Sequence, residues 1–218
     1  LVDLESKTQL KTNSLIISTG ASSKMLGLKE ESLLLGKGVS TCATCDGYFF
    51  TDQIVTVVGG GDSAMEEALF LTKFAKKVFL VHRRETFRAS KIMLDRARNN
   101  PKIEFVLNSQ IVQIDDVDQN KVTNAVLKNL TTNKLSDLKT DAVFIAIGHT
   151  PNSQLFKDYL DLNSNGYILT KEGTKTNIPG VFACGDVQDW EYRQAITASG
   201  TGCMAAIDAE RFLANQFE

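Results

Sequence analysis

The chain has 218 residues, 43% of them hydrophobic and 23% charged, with a formal net charge of −2. That composition supplies a sizeable core. It argues against a nucleic-acid partner, because there is no basic excess and no aromatic-laced basic stripe. No run of 18 apolar residues is present, so no helical membrane span is expected.

The first residues, Leu1-Val2-Asp3-Leu4-Glu5-Ser6-Lys7, show no signal-peptide or transit pattern and no initiator methionine. The expectation is that the natural start lies upstream. Residues 8–20 read as a polar run followed by a buried strand around Leu15-Ile16-Ile17. Thr19-Gly20-Ala21 ends it in a close turn. Gly20 has no side chain to block a ligand, although a plain strand-ending turn fits equally well. Residues 22–40 read as a connecting stretch with a weak helix and two glycines, Gly36 and Gly38.

Cys42-Ala43-Thr44-Cys45-Asp46-Gly47 follows. Two thiols at this spacing close a small disulfide and open it by exchange, and an adjacent acid can move protons to and from the sulfurs. Half of a zinc site is the alternative. Zinc wants four ligands, usually as two close pairs. Cys184 and Cys203 form no second pair, and His82 and His149 are far apart. If Cys45-Asp46-Gly47 opens a helix or turn, free N–H groups there would stabilise a thiolate. Four cysteines of this kind suggest an intracellular catalytic dithiol.

Residues 53–58 form a second strand, which runs into Gly59-Gly60-Gly61-Asp62-Ser63-Ala64 and then a helix to about residue 74. This G-x-G-x-x-A pattern sits at a strand-to-helix turn, the context that dinucleotide binding requires. Gly59 permits the turn, Gly61 admits the pyrophosphate, and Ala64 keeps helix and strand close. The helix N-terminus offers donors to phosphate. The next strand, 77–82, ends in His82-Arg83-Arg84, with Arg88 one turn on. An NAD site would carry an acid there. Guanidinium groups match a 2′-phosphate instead, so the pattern predicts NADPH rather than NADH. A solvated basic face is the alternative.

Residues 89–100 read as a helix stopped by Asn99-Asn100-Pro101. Strands at 103–107, 111–114, 122–130 and 142–147 read as a meander within or beside the nucleotide unit. Gly148-His149-Thr150-Pro151-Asn152 reads as a turn at a domain boundary, with His149 a turn residue. The strand at 181–183 ends in Gly185-Asp186, where an acid can accept hydrogen bonds from sugar-alcohol hydroxyls. A surface turn is the alternative. The last helix runs from about Ala195 to Asn215, with small residues in its early turns.

Five stretches together resemble the low-molecular-weight thioredoxin reductases, most closely the plant and fungal type. They are Cys-Ala-Thr-Cys-Asp-Gly (42–47), Gly-Gly-Gly-Asp-Ser-Ala-Met-Glu-Glu-Ala (59–68), His-Arg-Arg-Glu-Thr-Phe-Arg-Ala (82–89), Gly-Val-Phe-Ala-Cys-Gly-Asp-Val (180–187) and the run from Tyr192 to Ala206. The resemblance covers essentially the whole chain, in the family's order and spacing. It implies an α/β fold with two Rossmann-like nucleotide-binding domains of the three-layer β/β/α type. Residues 22–147 would be the NADPH domain carrying the C-x-x-C. Residues 1–21 and 148–218 would be parts of the FAD domain, without its opening G-x-G-x-x-G segment.

The implied roles follow motif by motif. Cys45 faces the flavin as the charge-transfer thiolate, Cys42 exchanges with thioredoxin, and Asp46 handles protons. NADPH falls to Gly59, Gly61, Asp62, Ser63, Ala64, His82, Arg83, Arg84 and Arg88. FAD falls to Thr19, Gly20, Gly185, Asp186, Arg193, Gln194 and Ala195. No metal is implied. Electrons would pass from NADPH through FAD and the Cys42–Cys45 disulfide to thioredoxin, in a cytoplasmic homodimer, with a mitochondrial form as the variant. The NADPH domain would rotate about hinges near 20–24 and 147–151. Two alternatives share parts of this pattern: the flavoprotein subunit of an alkyl hydroperoxide reductase, and a non-catalytic NADP-binding module. Cys184 stands where many relatives have alanine.

Overall fold

A computed structural model describes residues 2–3 and 9–216. The remaining terminal positions, which the leader reading and the expected domain limits include, lie outside the described residues. The chain divides into two compact units. Leu1–Ser22 joins His149–Glu218 in the first, and Ser23–Gly148 forms the second.

The first unit opens with a short antiparallel pair, β1 (Val2–Asp3) and β2 (Gln9–Leu10). Then come β3 (Leu15–Ile17) and β4 (Ala21–Ser23). The second unit holds α1 (Lys29–Leu34), β5 (Val39–Ser40), α2 (Ala43–Asp46), β6 (Ile54–Val58), α3 (Asp62–Leu71), β7 (Lys77–Val81), α4 (Lys91–Arg98) and β8 (Ile103–Val106). It continues through β9 (Ser109–Ile114), β10 (Asn124–Asn129), β11 (Leu135–Lys139) and β12 (Ala142–Ile145). The chain then returns to the first unit with β13 (His149–Pro151), β14 (Val181–Ala183) and α5 (Ala195–Ala214).

The core of the second unit is a parallel sheet in the order β5-β12-β6-β7-β8. A parallel sheet is covered on both faces, so its strands are apolar on both sides. Ile-Val-Thr-Val-Val in β6 and Ala-Val-Phe-Ile in β12 meet that demand. The period of two then sorts the side chains. Val55, Val57, Leu80 and Phe144 pack with Ala64, Met65, Ala68 and Leu71 of α3. Val58, Val81, Val143 and Ile145 pack with Ile111, Ile114, Ala125 and Leu127 of the antiparallel sheet β9-β10-β11. The result is helices, parallel sheet and antiparallel sheet in three layers.

Two expectations change here. The strands at 103–106 and 142–145 belong to the parallel sheet, not to a meander; only β9, β10 and β11 form one. Gly148-His149-Thr150-Pro151-Asn152 is not simply a turn, since His149–Pro151 is a strand paired with β4. β11 escaped the sequence reading because Leu-Ser-Asp-Leu-Lys is an exposed edge strand with no apolar alternation.

In the first unit β3 and β14 pair in parallel, Leu15 to Val181 and Ile17 to Ala183. Helix α5 covers one face through Ala205, Ala209 and Phe212 against Phe182 and Cys184. Ile17, Leu160, Ile168, Ala183 and Val187 form the other cluster.

Phe144 is fully buried at the centre of the larger core. Phe144→Ala is expected to cost about 3–5 kcal/mol of unfolding free energy in urea denaturation. A loss under about 1 kcal/mol would mean that the helix–sheet interface is not the main core.

Candidate active site

The cysteine pair is closed as a disulfide, Cys42–Cys45. Cys42 is the N-cap of α2, and its sulfur accepts the backbone N–H of Cys45 at 3.2 Å. The sequence reading considers a helix or turn opening at Cys45-Asp46-Gly47; the structure starts the helix at Ala43, two residues earlier, with Cys42 as its cap. The sulfur favoured by a helix N–H is therefore that of Cys42. Ala43, 1% exposed, anchors the turn in the helix-side core, while Thr44 and Cys45 face outward. The Thr44 hydroxyl lies 3.3 Å from the Cys42 sulfur. Asp46 follows, half-buried, at the end of the turn. Gly47 comes next, buried, where a Cβ would press on a terminal methyl of Leu71 at 2.9 Å.

The glycine turn lies between β6 and α3, as the pattern demands. Gly59 is pressed against the Ala146 carbonyl and the Ala64 methyl, whereas Gly61 faces open space. Only the second is placed for close approach of a phosphate. Ala64 is fully buried and acts by packing. Asp62 is committed within the protein: its carboxylate accepts both the N–H (2.7 Å) and hydroxyl (2.9 Å) of Ser90. Gly59, Gly61, Ser63, His82, Arg83, Arg84 and Arg88 all line one cavity of about 590 Å³. The arginine loop is tied to the turn, since Gly60 O accepts the N–H of Arg88 at 2.8 Å and of Ala89 at 3.2 Å.

His82 has a different environment from its arginine neighbours. Its ring stacks on Phe87 at 4.7 Å between centroids and covers Gly60, where a Cβ would sit 2.2 Å from the ring. Nε2 lies 3.0 Å from the Thr86 carbonyl. A carbonyl only accepts, so Nε2 carries the proton. Burial holds the imidazole pKa below its ordinary value, and Arg83 and Arg84 push the same way against the hydrogen bond to Thr86.

Of the residues expected at the flavin, Thr19, Gly20, Gly185 and Asp186 follow the C-terminal ends of β3 and β14, the end where open α/β sheets bind ligands, while Arg193, Gln194 and Ala195 lead into α5. Gly20 and Gly185 have φ of +73° and +70°, with no Cβ contact closer than 3.7 Å. Thr19 donates its hydroxyl to the Asn152 carbonyl at 2.7 Å. Asp186 is half-buried. Burial raises its pKa and nearby Asp189 adds to this, while Arg193 and His149 oppose it. Asp189 is also penalised by burial, yet its pKa is lowered, because it accepts the N–H groups of Tyr192, Arg193 and Glu191 and the Thr197 hydroxyl. This clamp sets the course of Arg193 and Gln194 into α5, which starts at Ala195.

Sequence reasoning missed Lys24, Met25 and Leu26, which line the glycine-turn cavity with Gln110, Ile147 and Gly148. No motif marks 24–26. Asp189 was missed too, although an aspartate two to four residues ahead of the N–H groups it accepts is a readable loop signal. A second cavity, about 690 Å³, lies in the first unit beside Lys175, Asp208 and Arg211, and holds none of the expected site residues.

The sequence profile described as Pyridine nucleotide-disulphide oxidoreductase matches residues 1–202. The thioredoxin reductase of Streptomyces coelicolor is 54% identical over 205 residues, covering 94% of this chain and 63% of that protein. Thioredoxin reductase 2 of Arabidopsis thaliana is 51% identical over 217 residues, covering 96% of this chain and 56% of that protein. The solved thioredoxin reductase of Giardia duodenalis superposes with a TM-score of 0.90 at 43% identity, covering 96% of this chain and 69% of that one. The chain thus spans 63% of the length of the first of these relatives.

His82 supplies a pH test. The folded state favours neutral imidazole, so the unfolded chain takes up the proton first as pH falls. The stability from neutral His82 is fully present above the ordinary value of about 6.5 and is lost progressively as pH falls from there through the lower folded-state value. An NMR titration of the ring should give a midpoint below the ordinary value. A midpoint at or above it would refute the half-buried, stacked placement.

Proposed function

This chain belongs to the pyridine nucleotide-disulphide oxidoreductase family, and within it to the thioredoxin reductases, and we propose that the protein is an NADPH- and FAD-dependent thioredoxin-disulfide reductase. One observation carries the reading. The Cys42–Cys45 disulfide, with its first sulfur under a helix N–H, is built on the same unit as an open glycine turn flanked by three arginines.

The residues present fit both cofactors. Gly61 leaves room for a pyrophosphate at the start of α3, and Arg83, Arg84 and Arg88 supply the guanidinium groups that a 2′-phosphate calls for. Gly20, Gly185 and Asp186 offer two unobstructed glycines and an acid at paired strand ends for the flavin nucleotide. Bound there, the two cofactors supply hydride transfer.

The chain's own residues do the rest. On reduction the Cys42–Cys45 bond takes up two electrons and two protons and opens to two thiols. Asp46 exchanges protons with these sulfurs. The Cys42 thiolate, favoured by the Cys45 N–H, attacks the disulfide of oxidised thioredoxin. One S–S bond forms, to Cys42; one breaks, and the departing thioredoxin sulfur takes a proton. Cys45 then attacks the Cys42 sulfur. The intramolecular disulfide re-forms, and thioredoxin leaves as a dithiol carrying the two electrons. We further read the protein as a homodimer, in the cytoplasm or, as the variant, in mitochondria. A cycling dithiol needs a reducing compartment, and Cys184 and Cys203 are free thiols.

Two measurements check the reading. Replacing Arg83 and Arg84 with alanine should raise KM for NADPH by roughly tenfold or more while leaving NADH nearly unchanged, because charge-assisted hydrogen bonds to the 2′-phosphate are lost. An equal loss for both nucleotides would remove the arginines from the phosphate site. Separately, Cys45→Ser should trap oxidised thioredoxin as a stable mixed disulfide with Cys42 on a non-reducing gel, and Cys42→Ser should not. The opposite pattern would exchange the roles of the two cysteines.

A further inference from the structure

Glu31 is a charged residue at 2% exposure, outside every motif described above. Its carboxylate accepts three successive backbone N–H groups: Leu26 at 2.7 Å, Gly27 at 3.0 Å and Leu28 at 3.2 Å. Glu31 is the third residue of α1, and Leu28 is its N-cap. A capping box explains the bond to Leu28 and nothing more. The other two bonds reach upstream of the helix, into the loop 24–28.

That loop is a wall of the cavity at the glycine turn. Lys24, Met25 and Leu26 line it together with Gly59–Gly61 and the arginine loop. The loop is held at both ends. Lys24 N–H donates to the Gly148 carbonyl at 2.9 Å, just beyond β12. At the other end Glu31 gathers the backbone, and Leu26 and Leu28 pack beside Leu34, Val39 and Ile111. Gly27, at φ +90°, makes the bend between them. A buried carboxylate is costly unless it is hydrogen-bonded, and here all three donors come from this loop.

We propose that Glu31 is a positioning residue for the dinucleotide pocket: it fixes the loop 24–28 so that the Lys24 ammonium faces the bound phosphates alongside Arg83, Arg84 and Arg88. The inference rests on the NADPH reading above. Glu31 touches no ligand and acts through the loop. Lys24 is a fourth basic residue lining the pocket, contributed by a part of the chain with no recognisable nucleotide motif.

A double-mutant cycle on the full-length protein tests this, with NADPH affinity measured directly by titration. Glu31→Ala and Lys24→Gln should each weaken NADPH, Glu31→Ala by roughly tenfold, since a displaced wall loses its contacts. The double variant should bind no more weakly than the worse single variant, because both changes remove the same contact. A merely structural Glu31 would lower the melting temperature and leave the affinity of the folded protein unchanged, which would overturn the proposal. So would losses that simply multiply in the double variant. If Glu31→Ala does not fold, Glu31→Gln, which sets an N–H donor against a backbone N–H, takes its place in the cycle with the same readings. Failure of the wild type to bind NADPH would instead overturn the function proposed above.

Discussion

A backbone carbonyl occupies the place where residue 59 would carry a side chain. A Cβ on Gly59 would lie 2.4 Å from the Ala146 oxygen and 2.7 Å from the Ala64 methyl. The ends of β6 and β12 and the first turn of α3 meet at this point, and no other residue lets them close. The backbone there is not left-handed, so the requirement is one of space rather than of dihedral freedom. The next residue repeats the constraint on the other side, with the His82 ring filling the volume of a Gly60 side chain. The Gly60 carbonyl then holds the arginine loop through Arg88 and Ala89. Turn, helix start and guanidinium groups are therefore one connected piece, and its geometry is set by two missing methyl groups.

A similar economy holds in the first unit. Asp186 and Asp189 are three residues apart, both partly buried, and their pKa values move in opposite directions. Asp189 has four donors and stays ionised. Asp186 sits beside that fixed negative charge and pays for it. One carboxylate is thus spent on holding the loop and the other is left poised at the strand end. Environment, not residue type, separates the two roles.

Much of this was legible in the sequence because the signals were local. The runs at 15–17, 54–58, 77–81 and 142–145 are apolar and β-branched, and each is a strand. The glycine pattern fixed a strand–turn–helix, and its arginines line the same cavity. The last helix was readable from end to end. What could not be read was partnership. Nothing in Ile103–Val106 says that it joins β7 in parallel while Ser109–Ile114, two residues later, leaves for another sheet. The 24–28 wall was invisible for the same reason: its position depends on a hydrogen bond from Lys24 to Gly148, across 124 residues of chain, and on an acid that looks like an ordinary helix-start glutamate. The cap at Cys42 was displaced in the reading because a cysteine is not a usual N-cap residue.

That bond from Lys24 to Gly148 has a further meaning. The second unit is a single continuous stretch, and its two ends are within hydrogen-bonding distance of each other. A module of this kind can be spliced into a surface loop of another protein without spreading the loop apart, because it enters and leaves at one spot. The fold carries the geometry of an insertion: one compact unit set between two strands, β4 and β13, that pair with each other at the splice. Circular permutation or transplantation of residues 23–148 would follow the same seam.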